Sequence, residues 1–215
     1  MRSSKKAIYK PRRKLKWAES AAIGHYTARA GEIIWAWNQL QHAFQFLFIR
    51  SVTPKNPEGG LAIWQAINSD SGQRDVLKAA MKHYRPEMDL VSEGITWLLD
   101  VASKLAPHRN DIAHAPTILN WTESGYVIPS RLAKPTHAKR MLAAKSLKQF
   151  HRHLRDDLHA LTNYAFALSR EMNEPNSFKI FPQPPALKSM PQSEVPPTRS
   201  QKRARNSGRA PGPHI

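Results

Sequence analysis

Between Trp17 and Arg50, the residues Ile33, Trp37, Leu40, Phe44 and Leu47 recur at alternating steps of four and three. That spacing predicts a long helix with one buried stripe. Trp35, Phe46 and Phe48 fall off the stripe. A helix that is apolar on more than one side is buried on more than one side, so this one belongs either at the centre of a bundle or in a homodimer face. Gly24 and Gly31 weaken its early part and mark a place for a break. Pro54, Pro57, Gly59 and Gly60 then predict a loop over residues 51–60.

Leu61 to Asn68 reads as a second helix, followed by a restart capped by Ser69 or Asp70 that runs to about Tyr84. Leu61, Ile63, Trp64, Ile67, Val76, Leu77, Ala80 and Met81 suit packing on the first helix, while Arg74 and Asp75 read as a solvated or salt-bridged face. Pro86 restarts the chain, and Glu87 and Asp89 suit the positive end of a helix. Leu90, Trp97, Leu98, Val101 and Leu105 carry one face to about Ala106. Proline fits the first turn of a helix and not its interior, so Pro107 is predicted to open a short further helix and Pro116 to close it.

The pattern then changes. Thr117 to Trp121 and Tyr126 to Ile128 flank Thr122-Glu123-Ser124-Gly125, which predicts a small hairpin that needs support from the helices. A last helix over about Ala143 to Met172 shows Leu147, Phe150, Leu154, Leu158, Leu161, Ala165 and Leu168 on one face. The expected fold is therefore all-α, a helical bundle with a small β-hairpin spanning residues 17–172.

Charge adds the two ends. The net charge is +17, and residues 1–16 carry eight basic and no acidic side chains, Lys5, Lys6, Lys10, Arg12, Arg13, Lys14 and Lys16 among them. Residues 173–215 hold nine of the 17 prolines together with Lys202, Arg203, Arg205 and Arg209. Such a tail buries too little apolar surface to offset chain entropy, and it is expected to be disordered or extended, held only where it finds a partner. Basic arms neutralise phosphates with release of counterions, which makes nucleic acid the favoured partner over an acidic membrane surface. With no cysteine, disulfides and thiolate metal sites are excluded. No apolar run is long enough for a membrane span and no secretory signal is visible, so a cytoplasmic protein is expected. P-loop, HExxH and GxSxG patterns are missing, and neither a cofactor nor a metal is expected. His151-Arg152-His153 is not a chelate, because residues two apart on a helix point in different directions.

The candidate chemistry is concentrated in Arg109-Asn110-Asp111-Ile112-Ala113-His114. Histidine transfers protons near neutral pH, and arginine stays charged and holds phosphate oxygens in a planar fork. On one helix Asn110 and His114 share a face, whereas Arg109 and His114 are roughly 140° apart. Arg109 and His114 of one copy therefore do not pair along one helix face. A site needs either Arg109 turned inward or a second copy of the motif. The same residues also admit a structural reading, with Arg109 paired to a carboxylate, Asn110 bonded to the helix end and His114 near a helix C-terminus.

Arg109, Asn110 and His114, placed late in a helical chain, resemble the R-polar-x3-H signature of the HEPN superfamily. The resemblance implies a metal-independent endoribonuclease, plausibly a toxin or phage-defence effector, working as a homodimer and held by an antitoxin or defence-complex partner. It assigns proton transfer to His114, phosphate contact to Arg109, and orientation of His114 or the phosphate to Asn110. Cleavage by the 2′-hydroxyl would leave a 2′,3′-cyclic phosphate and a 5′-hydroxyl. Without cutting, the same fold would serve as a nucleic-acid-binding or adaptor protein.

Overall fold

The computed structural model describes residues 17–53, 55–84, 89–113, 119–121, 127–129, 147–174, 180–190, 192 and 195–197. Five helices account for most of them: α1 (Trp17–Val52), α2 (Pro57–Gln65), α3 (Asp70–Tyr84), α4 (Asp89–Ala113) and α5 (Leu147–Asn173). Between α4 and α5, β1 (Leu119–Trp121) pairs antiparallel with β2 (Val127–Pro129), Asn120 lying opposite Ile128. The expected turn at residues 122–125 lies outside the described residues.

Helix α1 is the centre of the bundle. It packs along α5 and also touches α2, α3 and α4. Its predicted stripe, Ile33, Trp37, Leu40, Phe44 and Leu47, is buried, and Ala36, Ala43 and Phe48 widen it. Phe48 lies against Trp64 of α2, which accounts for one residue off the stripe. Trp35 and Phe46 remain exposed. The helix runs unbroken through Gly24 and Gly31, where tertiary burial of the later turns outweighs a local propensity loss of about 1 kcal/mol each.

Three local expectations are corrected. The loop over residues 51–60 is shorter than predicted, because Pro57 starts α2 and Asn56 caps it, its Oδ1 accepting from Gly59 N at 2.9 Å. Gly60 is buried against Thr53 and Ile49, and a Cβ there would collide with the Thr53 hydroxyl. Pro107 opens no new helix: it lies inside α4. An interior proline costs roughly 3 kcal/mol, yet Leu105 and Ile112 are both buried on either side of it, and only a continuous helix keeps both in the core.

The third correction concerns the proline-rich tail. Residues 180–190 form no regular element, but Leu187, Ser189 and Met190 are buried and Phe181 and Val195 pack on the core. Asp157 of α5, itself buried, accepts from Lys188 N at 3.0 Å and from both the backbone N and the hydroxyl of Ser189. Trp97 Nε1 donates to Pro196 O at 2.8 Å. The composition argument failed here because a few well-placed apolar residues and one carboxylate with three donors suffice to seat an extended strap. No described helix is long and apolar enough to cross a membrane.

Helices α4 and α5 approach closely at Gly94, where a Cβ would meet Tyr164 Oη at 2.7 Å. Beyond that crossing, α4 carries its last two turns, with Arg109 and Asn110, out toward α1 and α3.

Candidate functional site

The residues around Arg109 come from three helices. Asp70 opens α3, and its Oδ2 accepts from the buried Trp37 Nε1 of α1 at 2.9 Å. Trp37 is fully enclosed, so its indole N–H must find a partner, and the first-turn carboxylate of α3 supplies one. Arg109 Nη2 reaches the same Asp70 Oδ2 at 3.5 Å, and Arg109 Nη1 donates to Asn110 Oδ1 at 2.9 Å. The Arg109 guanidinium carbon lies 5.6 Å from the Trp37 ring centroid.

A second guanidinium joins the first. Arg74, one turn after Asp70 on α3, is only 7% exposed and sits 5.9 Å from the same indole. Its Nε donates to Ser103 Oγ of α4 at 3.1 Å, and Ser103 Oγ in turn donates to Leu99 O. Burial depresses the Arg74 pKa, Asp70 and Asp75 pull it back, and Arg109 adds to the depression. An arginine remains charged through such a shift at neutral pH. Two cations therefore flank one indole, with Asp70 and Asp75 as the carboxylates that oppose them. Arg74 Nη1 and Arg109 Nε are buried without a hydrogen-bond partner among the described residues.

The motif is thus only partly assembled as expected. Arg109 is turned inward, as a site requires, and Asn110 Oδ1 holds the Arg109 fork. Asn110 is otherwise exposed, and Ile112 is buried. His114 lies outside the described residues, as do Lys5, Lys6, Lys10, Arg12, Arg13, Lys14, Lys16, Lys202, Arg203 and Arg205. His108 is half-buried, its ring 5.1 Å from that of Phe150, edge-on. His151 and His153 diverge as expected, the first buried beside Tyr26 and Phe150, the second with Nδ1 3.2 Å from Lys188 O.

Sequence reasoning missed Trp37, Asp70 and Arg74 as parts of this centre. Their signal was present but local. Asp70 and Arg74 stand four apart, which on a helix makes neighbours. A Trp inside a buried stripe also demands an acceptor. What joins these clues to Arg109 is the crossing of α1, α3 and α4.

Comparison of the chain with protein-family models, with curated proteins and with solved structures returns no match. The functional reading therefore rests on the residues themselves.

Proposed function

We propose that the chain is a metal-independent endoribonuclease of the HEPN type, acting as a homodimer, a toxin or phage-defence effector restrained by a partner protein. The observation that supports this reading best is the meeting of Arg74 and Arg109 on Trp37, with Arg109 also reaching Asp70. The Arg109–Asp70 contact at 3.5 Å is longer than a charge-assisted hydrogen bond of about 2.7–2.9 Å, so a phosphate can compete for the fork.

In the proposed reaction the ribose 2′-oxygen bonds to phosphorus as the bond to the 5′-oxygen breaks. His114 of one subunit takes the 2′-hydroxyl proton, and His114 of the partner subunit gives one to the leaving 5′-oxygen. Arg109 holds the non-bridging oxygens as charge builds on them. Arg74, buried on Trp37 and tied to Ser103, keeps the indole that seats Arg109 in place. The products carry a 2′,3′-cyclic phosphate and a 5′-hydroxyl. An RNA oligonucleotide bearing a single 2′-deoxyribose at the cut site tests this chemistry. Resistance of that site is expected, and equal cutting of ribose and deoxyribose overturns the mechanism.

A second reading has its own observation. Arg109 already bonds Asn110, pairs with Asp70 and packs on Trp37, which ties α4 to α3 and α1. On that reading the motif is a structural clamp, and the chain binds RNA through its basic arms, or assembles with another protein, without cutting.

A further inference from the structure

Away from Arg109, the seam between α1 and α5 carries a pocket walled by Arg29, Glu32, Lys148, His151, Arg152 and Arg155. Four cations face one carboxylate, and that carboxylate is already taken: Glu32 Oε2 accepts from Arg155 Nη1 at 2.9 Å. Arg29, Lys148 and Arg152 have no ion-pair partner among the described residues. At the floor, His151 is 2% exposed, and its Nε2 is buried with no hydrogen-bond partner among the described residues. Burial, and then the Arg29 charge, hold its pKa down at about 4, so at neutral pH it is an uncharged imidazole with an unused polar nitrogen.

The pocket continues into a broader groove of about 560 Å³ that shares Glu32 and Arg155 and adds Trp35, His159 and Asp156, whose Oδ1 accepts from Arg155 Nη2 at 2.9 Å. Trp35 is 58% exposed, and the His159 ring lies 5.8 Å from it. Arg29 and Trp35 are six residues apart on α1, which puts them about 9 Å apart along the axis. An unpaired cationic pocket beside an open indole is the pairing that proteins use for single strands, phosphates in the groove and bases on the ring. Double-stranded nucleic acid offers no free base face to such a ring.

We propose that single-stranded RNA docks along the α1–α5 seam, with a backbone phosphate in the pocket of Arg29, Lys148 and Arg152 and a neighbouring base stacked on Trp35. Arg109 is not among the residues that line this surface, and RNA held there needs neither Arg109 nor His114.

The test is binding of the full chain to a fluorescein-labelled oligouridine with 2′-O-methyl riboses, which cannot be cut by 2′-oxygen attack, so failure of cleavage and failure of docking are told apart. Trp35→Ala is expected to weaken binding by about 5- to 150-fold, the range for losing one base–aromatic stack. Trp35→Phe, which keeps a ring, retains most of the affinity. The double variant Lys148→Gln and Arg152→Gln lowers the slope of log affinity against log salt by about 0.7, the value for the one single-strand phosphate contact it removes. Unchanged affinity and salt slope in folded variants overturn the proposal. So does a Trp35→Ala chain that passes from dimer to monomer with RNA affinity intact, which makes the seam the face of a second copy instead.

Discussion

Asp70 Oδ2 is shared by Trp37 Nε1, at 2.9 Å, and Arg109 Nη2, at 3.5 Å. One oxygen thus satisfies a buried indole and balances a guanidinium from another helix. The start of α3, the middle of α1 and the end of α4 meet at this atom, and the position of the motif depends on it.

Asp70→Ala removes both the acceptor and the counter-charge. The Trp37 N–H is then enclosed without its acceptor, and Arg109 loses the carboxylate it pairs with. We expect a loss of about 1–3 kcal/mol in urea unfolding, with Asp70→Asn losing less because its amide oxygen still accepts from the indole. The lower end of the range reflects the partial exposure of Asp70.

Arg109→Lys separates charge from geometry. Lysine keeps one positive charge but has no planar fork to hold two phosphate oxygens. Cleavage is expected to fall by about 10²-fold or more, while the unfolding free energy changes by less than about 1 kcal/mol. A large stability loss with no change in cutting would favour the clamp reading of Arg109.

The main helices were legible because burial on one face imposes a period that the sequence has to keep. Ile33, Trp37, Leu40, Phe44 and Leu47 on α1 and Leu154, Leu158, Leu161 and Leu168 on α5 obey it, and all are buried. Pro107 was misread because a local rule about proline carries no knowledge of Ile112 in the core beyond it. Arg74 was read as part of a solvated or salt-bridged face because its partners Trp37 and Ser103 lie on other helices. In the proline-rich tail, Leu187 and Met190 gave too faint an apolar signal to reveal a binding groove on the bundle.

The strap offers a direct check. Asp157→Ala leaves Lys188 N, Ser189 N and the Ser189 hydroxyl without their acceptor. Hydrogen exchange at the Lys188 and Ser189 amides is expected to rise by at least tenfold, and proteases should cut within residues 180–197 while the helices stay intact. Equal exchange in variant and wild type contradicts the seat described for the strap.

His151 makes stability pH-dependent with a definite sign. Its folded pKa is lowered to about 4 from 6.5, chiefly by burial and then by Arg29, with Tyr26 and Phe150 as its ring neighbours. Below pH 6.5 the unfolded chain binds a proton that the folded chain refuses, so this contribution is intact above 6.5 and is lost as pH falls toward 4. Between pH 7 and pH 5 it amounts to about 2 kcal/mol. Urea midpoints for wild type and His151→Leu should diverge in slope across that interval, the variant being flatter.

The most direct measurement of the central claim is incubation of RNA in EDTA with purified wild type and with His114→Ala. Wild type is expected to produce fragments ending in 2′,3′-cyclic phosphate, and His114→Ala to leave the RNA whole at the same high protein concentration. Identical RNA patterns from the two proteins contradict the claim.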